Sequence, residues 1–382
     1  MKKRGYTKGR LLSVIIIFII LLGLFYLIAP RYVSRALIYQ KANIDDYEIF
    51  DNRKVDAGEH HAWPVRQHNL KIPEGHFKKM REYDPVAFLI SRNDTLICEE
   101  YWDGYSESSY SNAFSATKSI VSLMVGVALD KGYIKSLDQP LGDFFVHYAK
   151  GEKAKITIRD LLTMSSGLNW DESYGSLFST TTQAYYGTDI KKLVMDLDVI
   201  TEPGKEYKYL SGNTQLIGLL LADVAPKTLS EFTSEHLWKY LGAKHDALWS
   251  LDEEGGYEKA YCCFNSNARD FARIGQLVLD SGKAFGRQII SSDYILKATS
   301  PANWLVDKNG KPVDFYGYSW WIINYKGRTV KYARGIKGQY IFVIPSFDAV
   351  VVRLGHKRSD EYLDHHPKDV YIYLDAAFDM LD

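Results

Sequence analysis

The stretch FSATKSIVSLMVGVAL, Phe114 to Leu129, decides how the rest of the chain is read. From Ser119 onward its apolar residues recur at helical spacing and Gly132 follows as a stop, so a helix is expected. At its entrance Ser115 stands three residues before Lys118. Residues i and i+3 share a helix face, which puts the two side chains side by side. A serine hydroxyl is a weak nucleophile and needs a base within hydrogen-bond reach. The first turn of a helix adds positive partial charge and unsatisfied backbone N–H groups, both suited to an oxyanion. A lysine can be the base only where burial or nearby positive charge lowers its pKa. The same letters admit a plainer reading, with Ser115 as an N-cap and Lys118 at the surface.

Working outward, PVAFLISRNDTLICEEYW reads as two strands around the turn RND. TIRDLLTMSSGLNW reads as a short helix, capped by Thr157 and ending at Gly167. In PGKEYKYLSGNTQLIG a Pro-Gly turn leads to Tyr207, Tyr209, Ser211 and Asn213, just before a second strong helix. A tyrosine beside a low-pKa lysine can share its proton and pass it to a leaving group; otherwise Tyr209 is a half-buried ring and Ser211 a cap. NARDFARIGQLVLDSGK is a third helix. From about residue 315 the chain turns to short β-branched and aromatic runs, among them KYARGIKGQYIFVIP, where Gly335 and Gly338 bracket a turn into a strand. KDVYIYLDAAFDML closes as a helix. Strands at both ends and helices between them predict an α+β fold, an α/β sandwich. Its antiparallel sheet is built from both chain ends, with flanking helices and a helical region inserted over about 135–300.

The N-terminus is of another kind. MKKRGYTKGR is cationic, and Leu11 to Ala29 carries no charge. At about 1.5 Å per residue that run just crosses a hydrocarbon core of about 30 Å. It is longer than a signal-peptide core and lacks a small-x-small cleavage site. The expectation is a cytoplasmic tail over 1–10, an uncleaved transmembrane helix over 11–29 and a stalk over 30–80. A catalytic domain over 81–382 then lies on the extracytoplasmic side. Basic and acidic residues balance at 47 each, which leaves no electrostatic footprint for nucleic acid. Aromatic residues reach 14%, fitting either a ring-lined cleft or ordinary core. Cys98, Cys262 and Cys263 make no disulfide framework, and adjacent cysteines rarely pair. The adjacent pairs His60/His61 and His365/His366 lack metal spacing and read as solvent-facing. Neither a metal nor a cofactor is expected.

Three of these features, in this order and spacing, resemble the serine β-lactamase and penicillin-recognising superfamily. The likeness is nearest to its class C branch, with the 6-aminohexanoate-dimer hydrolases and related esterases. FSATKS resembles the nucleophile motif, YLS at Tyr209–Ser211 the second motif, and ARG at Ala333–Gly335 the third. ITIRDLLTMSSGLNWDE and NARDFARIGQLVLDSGK are also similar. The resemblance implies that Ser115 forms an acyl-enzyme and that Lys118 and Tyr209 move its proton to the leaving group. It implies an oxyanion hole from the N–H groups of Ser115 and Ile336, and substrate contacts from Tyr174, Trp170, Ser211, Arg334 and Gly335. The substrate would be a small amide, peptide or ester. Ser211 stands where β-lactamases usually have Asn, and Ala333 where they have Lys, so efficient β-lactam hydrolysis is not expected. A D-amino-acid peptidase of the penicillin-binding type, a weak β-lactamase and a catalytically silent acyl-binding sensor are the competing readings.

Overall fold

The strands expected at the two chain ends meet in one sheet. The computed structural model describes residues 4–382. Its main sheet has six strands: β1 (Pro85–Arg92), β2 (Thr95–Tyr101), β3 (Trp321–Tyr325), β4 (Arg328–Gly335), β5 (Gln339–Ile344) and β6 (Ala349–Gly355). Their order is β2-β1-β6-β5-β4-β3, with every neighbouring pair antiparallel. The β1–β2 hairpin turns through Asn93 and Asp94, both at positive φ, as a two-residue turn matching strand twist requires. The contact between first and last strands is β1 with β6, where Val352 faces Leu89 and Val351 faces Ile90.

The first two helices of the described residues are α1 (Arg4–Ile28) and α2 (Arg31–Tyr39). Among the described residues no helix is long and apolar enough to cross a membrane. This corrects the expected transmembrane helix over Leu11–Ala29, and with it the membrane partner and the single-pass extracytoplasmic placement. Helix α1 stops at Ile28 because Ala29 precedes Pro30, whose ring disfavours a helical residue before it. The charge-free part of the helix therefore rises about 27 Å, short of a core of about 30 Å. Residues 1–3 of the expected cytoplasmic tail lie outside the described residues.

The remaining helices that matter here are α3 (Thr117–Asp130), α4 (Ile158–Leu162), α5 (Thr180–Tyr186), α6 (Ser211–Val224), α7 (Ala268–Leu279) and α8 (Lys368–Leu381). Helix α7 lies on one face of the sheet against β1, β5 and β6, and α8 covers the other. Strand residues alternate between the two sides, as a period of two demands. Leu89, Ile341, Val350 and Val352 join the core under α3, α6 and α7, while Phe88, Ile90, Phe342 and Val351 join the core under α8. Gly275 lets α7 approach closely, since a Cβ there would stand 2.4 Å from Val350. Helix α3 is buried from Thr117 to Ala128.

Three local expectations need adjustment. The helix begun at Thr157 ends at Leu162, not at Gly167, because Met164 takes φ 58° and leads the chain away. Gly167 serves the loop: at φ 71° a Cβ would meet the Thr201 carbonyl at 2.1 Å. Cys262 and Cys263 are joined by a disulfide, the backbone turning at Cys263 with φ 69°. His366 is buried and shares a 2.8 Å hydrogen bond with Tyr332, so it does not face solvent.

Thr157 does cap α4: its hydroxyl accepts from the Asp160 N–H, and the Asp160 carboxylate accepts from the Thr157 N–H. Thr157→Ala is expected to lower stability by about 1 kcal/mol, read from the urea midpoint at unchanged slope.

Candidate active site

Ser115 sits in a 3-10 turn, Phe114–Ala116, that leads directly into α3. Phe114 holds φ 45°, a left-handed backbone that costs a non-glycine residue about 1–3 kcal/mol. Neighbouring bonds fix it. The Phe114 N–H donates to Asn112 Oδ1 at 2.8 Å, and the Ala113 N–H donates to the Phe264 carbonyl at 2.9 Å.

One helical turn on, Lys118 Nζ lies 3.1 Å from Ser115 Oγ and donates to the Tyr261 carbonyl at 2.8 Å. Lys118 is only 1% exposed, so the surface reading of this residue is set aside. Burial brings its pKa down to about 8, and the Glu172 carboxylate works against that fall. Its ammonium stands 5.0 Å from the Tyr209 ring centre and 5.6 Å from that of Tyr261. Tyr209 and Ser115 both line the smaller cavity. Burial, and then the charge of Glu172, push the Tyr209 hydroxyl up, while Ser115, Arg334 and Arg358 pull it down.

Two cavities meet at Ser115, Tyr174 and Ile336. The smaller, about 310 Å³, is lined by Tyr207, Tyr209, Trp321, Arg334 and Arg358 among others. The larger, about 580 Å³, extends toward α2 and α5. Gly335 ends β4 beside the Ser115 turn; a Cβ on it would stand 2.2 Å from the Ala113 carbonyl oxygen. The next residue, Ile336, therefore lies beside Ser115.

Tyr174 is half exposed and lies over the junction of the two cavities. Ser211 is buried at the start of α6, with Glu172 accepting from both its N–H and its hydroxyl at 2.6 Å. Arg334 stacks on Trp321, 3.2 Å from the ring centre, and donates to the His365 carbonyl at 2.9 Å. Trp170 lines neither cavity. It is buried behind Tyr261, with its indole N–H donating to Thr181.

Two residues escaped the sequence reading. Glu172 ties the loop before α5 to Ser211, and also accepts from the Tyr174 hydroxyl at 2.5 Å. Its position two residues from Tyr174 in NWDESY was the available signal. Arg358 lines the smaller cavity, yet nothing in HKRSDEY distinguishes it from a solvated cation.

The chain matches the beta-lactamase family model over residues 74–371. It belongs to that family. This beta-lactamase family member is 24% identical to the 6-aminohexanoate-dimer hydrolase of Paenarthrobacter ureafaciens over 315 residues, 78% of this chain and 80% of that protein. Its fold is similar to that of a putative 6-aminohexanoate-dimer hydrolase from Bacillus anthracis. The TM-score is 0.79 at 19% identity, covering 92% of this chain and 95% of that one. A penicillin-binding protein from Bacillus halodurans is similar with a TM-score of 0.62 at 15% identity, covering 80% and 99%. The beta-lactamase family member is thus a serine hydrolase of the β-lactamase type; these matches do not single out the class C branch.

Proposed function

We propose that the protein hydrolyses a small amide or ester through an acyl-enzyme on Ser115, with 81–382 as the catalytic domain. The observation that carries this reading is the 3.1 Å approach of a buried lysine, with its pKa lowered to about 8, to the Ser115 hydroxyl. Neutral Lys118 takes the Ser115 proton as Oγ attacks the carbonyl carbon. The negative oxygen that forms accepts from the N–H groups of Ser115 and Ile336. As the intermediate collapses, the Tyr209 hydroxyl gives its proton to the leaving group and regains one from Lys118. Water then attacks the acyl carbon, and Ser115 recovers its proton. Arg334, with Arg358 beside it, supplies positive charge on the leaving-group side, and Tyr174, held by Glu172, covers the junction.

The test is intact mass after treatment with a fluorophosphonate. A single adduct on the wild type, absent from Ser115→Ala, supports the reading. No adduct on folded wild-type protein overturns it in favour of a non-catalytic binding protein.

The pH dependence has a definite sign. The active base is unprotonated Lys118, so acylation should be full above about 8 and fall tenfold per pH unit well below it. A stopped-flow acylation profile flat to pH 5 would remove Lys118 from that role.

A further inference from the structure

We infer that the larger cavity at Ser115 receives the acyl arm of the substrate, that this arm is an apolar alkyl or aryl chain, and that the segment before the catalytic domain forms its specificity wall. This rests on the acyl-enzyme reading above.

Tyr209 lines the smaller cavity and not the larger one. A group that hands its proton to the leaving atom must stand on the leaving-group side. The carbonyl carbon is bonded to Ser115 Oγ in the acyl-enzyme, so its remaining substituent points the other way, into the cavity of about 580 Å³. That volume is within the range of sites that enclose a whole small ligand.

The chemistry of the walls follows from their residues. Phe114, Tyr185, Tyr186, Leu177, Tyr261 and Ala36 make the body of the cavity, and all but the partly buried Leu177 are buried. Of the charged residues lining it, Lys41 and Asp360 are exposed and Lys337 is half-buried. A charged arm would lose its hydration against rings and methyl groups, while an apolar arm gains from leaving water.

The wall on the α2 side comes from outside the span that matches the family model. Ala36, Gln40, Lys41 and Ala42 line the cavity, yet they precede the 74–371 span shared with the family. The segment is packed down firmly. Tyr39 stacks on Tyr186 with ring centres 6.2 Å apart, and Arg35 lies over Phe50 and donates to the Ile49 carbonyl at 2.9 Å. Phe50 in turn meets Tyr185 edge-on at 5.2 Å. The wall is thus continuous with α5 and has a fixed distance from Ser115.

The test is a series of p-nitrophenyl esters from acetate to octanoate, with fluorophosphonate labelling of Ser115 run on every sample. In the wild type kcat/KM is expected to rise about threefold per added methylene until the cavity is full. Ala42→Trp, at a partly buried position, narrows the cavity and should lower the octanoate-to-acetate ratio of kcat/KM at least tenfold. Leu177→Ala, which removes bulk from the lining, should shift the best chain length upward. A flat or falling series in wild type that still labels, or an unchanged ratio in labelled Ala42→Trp, overturns the inference while leaving the hydrolase reading intact. Failure of the wild type to label overturns the hydrolase reading itself, and the inference with it.

Discussion

Lys118→Met is expected to lower turnover of an activated ester about 10⁴-fold, nearly as far as Ser115→Ala, with the double variant losing little more. The two side chains work as one unit. Without the amine 3.1 Å away the Ser115 hydroxyl keeps its proton, and without Ser115 the amine has nothing to activate. Methionine has similar length and no charge, and Lys118 occupies a buried site, so the fold should survive the change. The ammonium's desolvation is relieved, while the Tyr261 carbonyl loses one donor, worth about 1 kcal/mol. The unfolding midpoint should therefore stay near that of the wild type while kcat collapses. A loss of only tenfold in a folded variant would mean that another group, Tyr209 first among them, takes the proton.

The division between what was legible and what was not follows sequence distance. The turn at Asn93 and Asp94, the buried helix after Ser115 and the closing strands all announce themselves locally, because periodicity and turn residues are local signals. Ser115 and Lys118 are three residues apart, so their meeting needs only a helix. Tyr209 and Gly335 come from distant segments, and only the resemblance could bring them to Ser115. The clasp of Glu172 on Ser211 joins residues 39 apart and leaves no trace in either segment. The wall from Ala36 to Ala42 reads as stalk in the sequence, since its apolar partners Tyr185 and Tyr186 lie far along the chain. The run from Leu11 shows in the sequence only its lack of charge. Where its helix stops, at Ile28 before Pro30, shortens it below a membrane's width.

Gly335→Ala should lower kcat about 10²–10³-fold, the usual loss when one oxyanion donor is displaced. Space, not backbone freedom, requires glycine at position 335. Gly335 has φ −114°, which any residue adopts. Its added Cβ would stand 2.2 Å from the Ala113 carbonyl oxygen and 3.1 Å from Gln339 Cβ. The carbonyl belongs to the residue just before the Ser115 turn, and its own N–H is bonded to Phe264, so that side is held. The end of β4 must therefore retreat and carry the Ile336 N–H away from Ser115. Gly338→Ala supplies the contrast. Gly338 has φ 83°, and a Cβ there would meet Arg353 Nη1 at 1.9 Å. Arg353 is buried and holds the Lys337 and Gly338 carbonyls at 2.6 Å, so this second substitution strikes packing and left-handed backbone together. It should lower the thermal midpoint more than Gly335→Ala does. Measured side by side, the glycine at 335 should lose rate at modest cost in stability, and the glycine at 338 the reverse. A folded Gly335→Ala variant with wild-type kcat would place the second oxyanion donor somewhere other than Ile336.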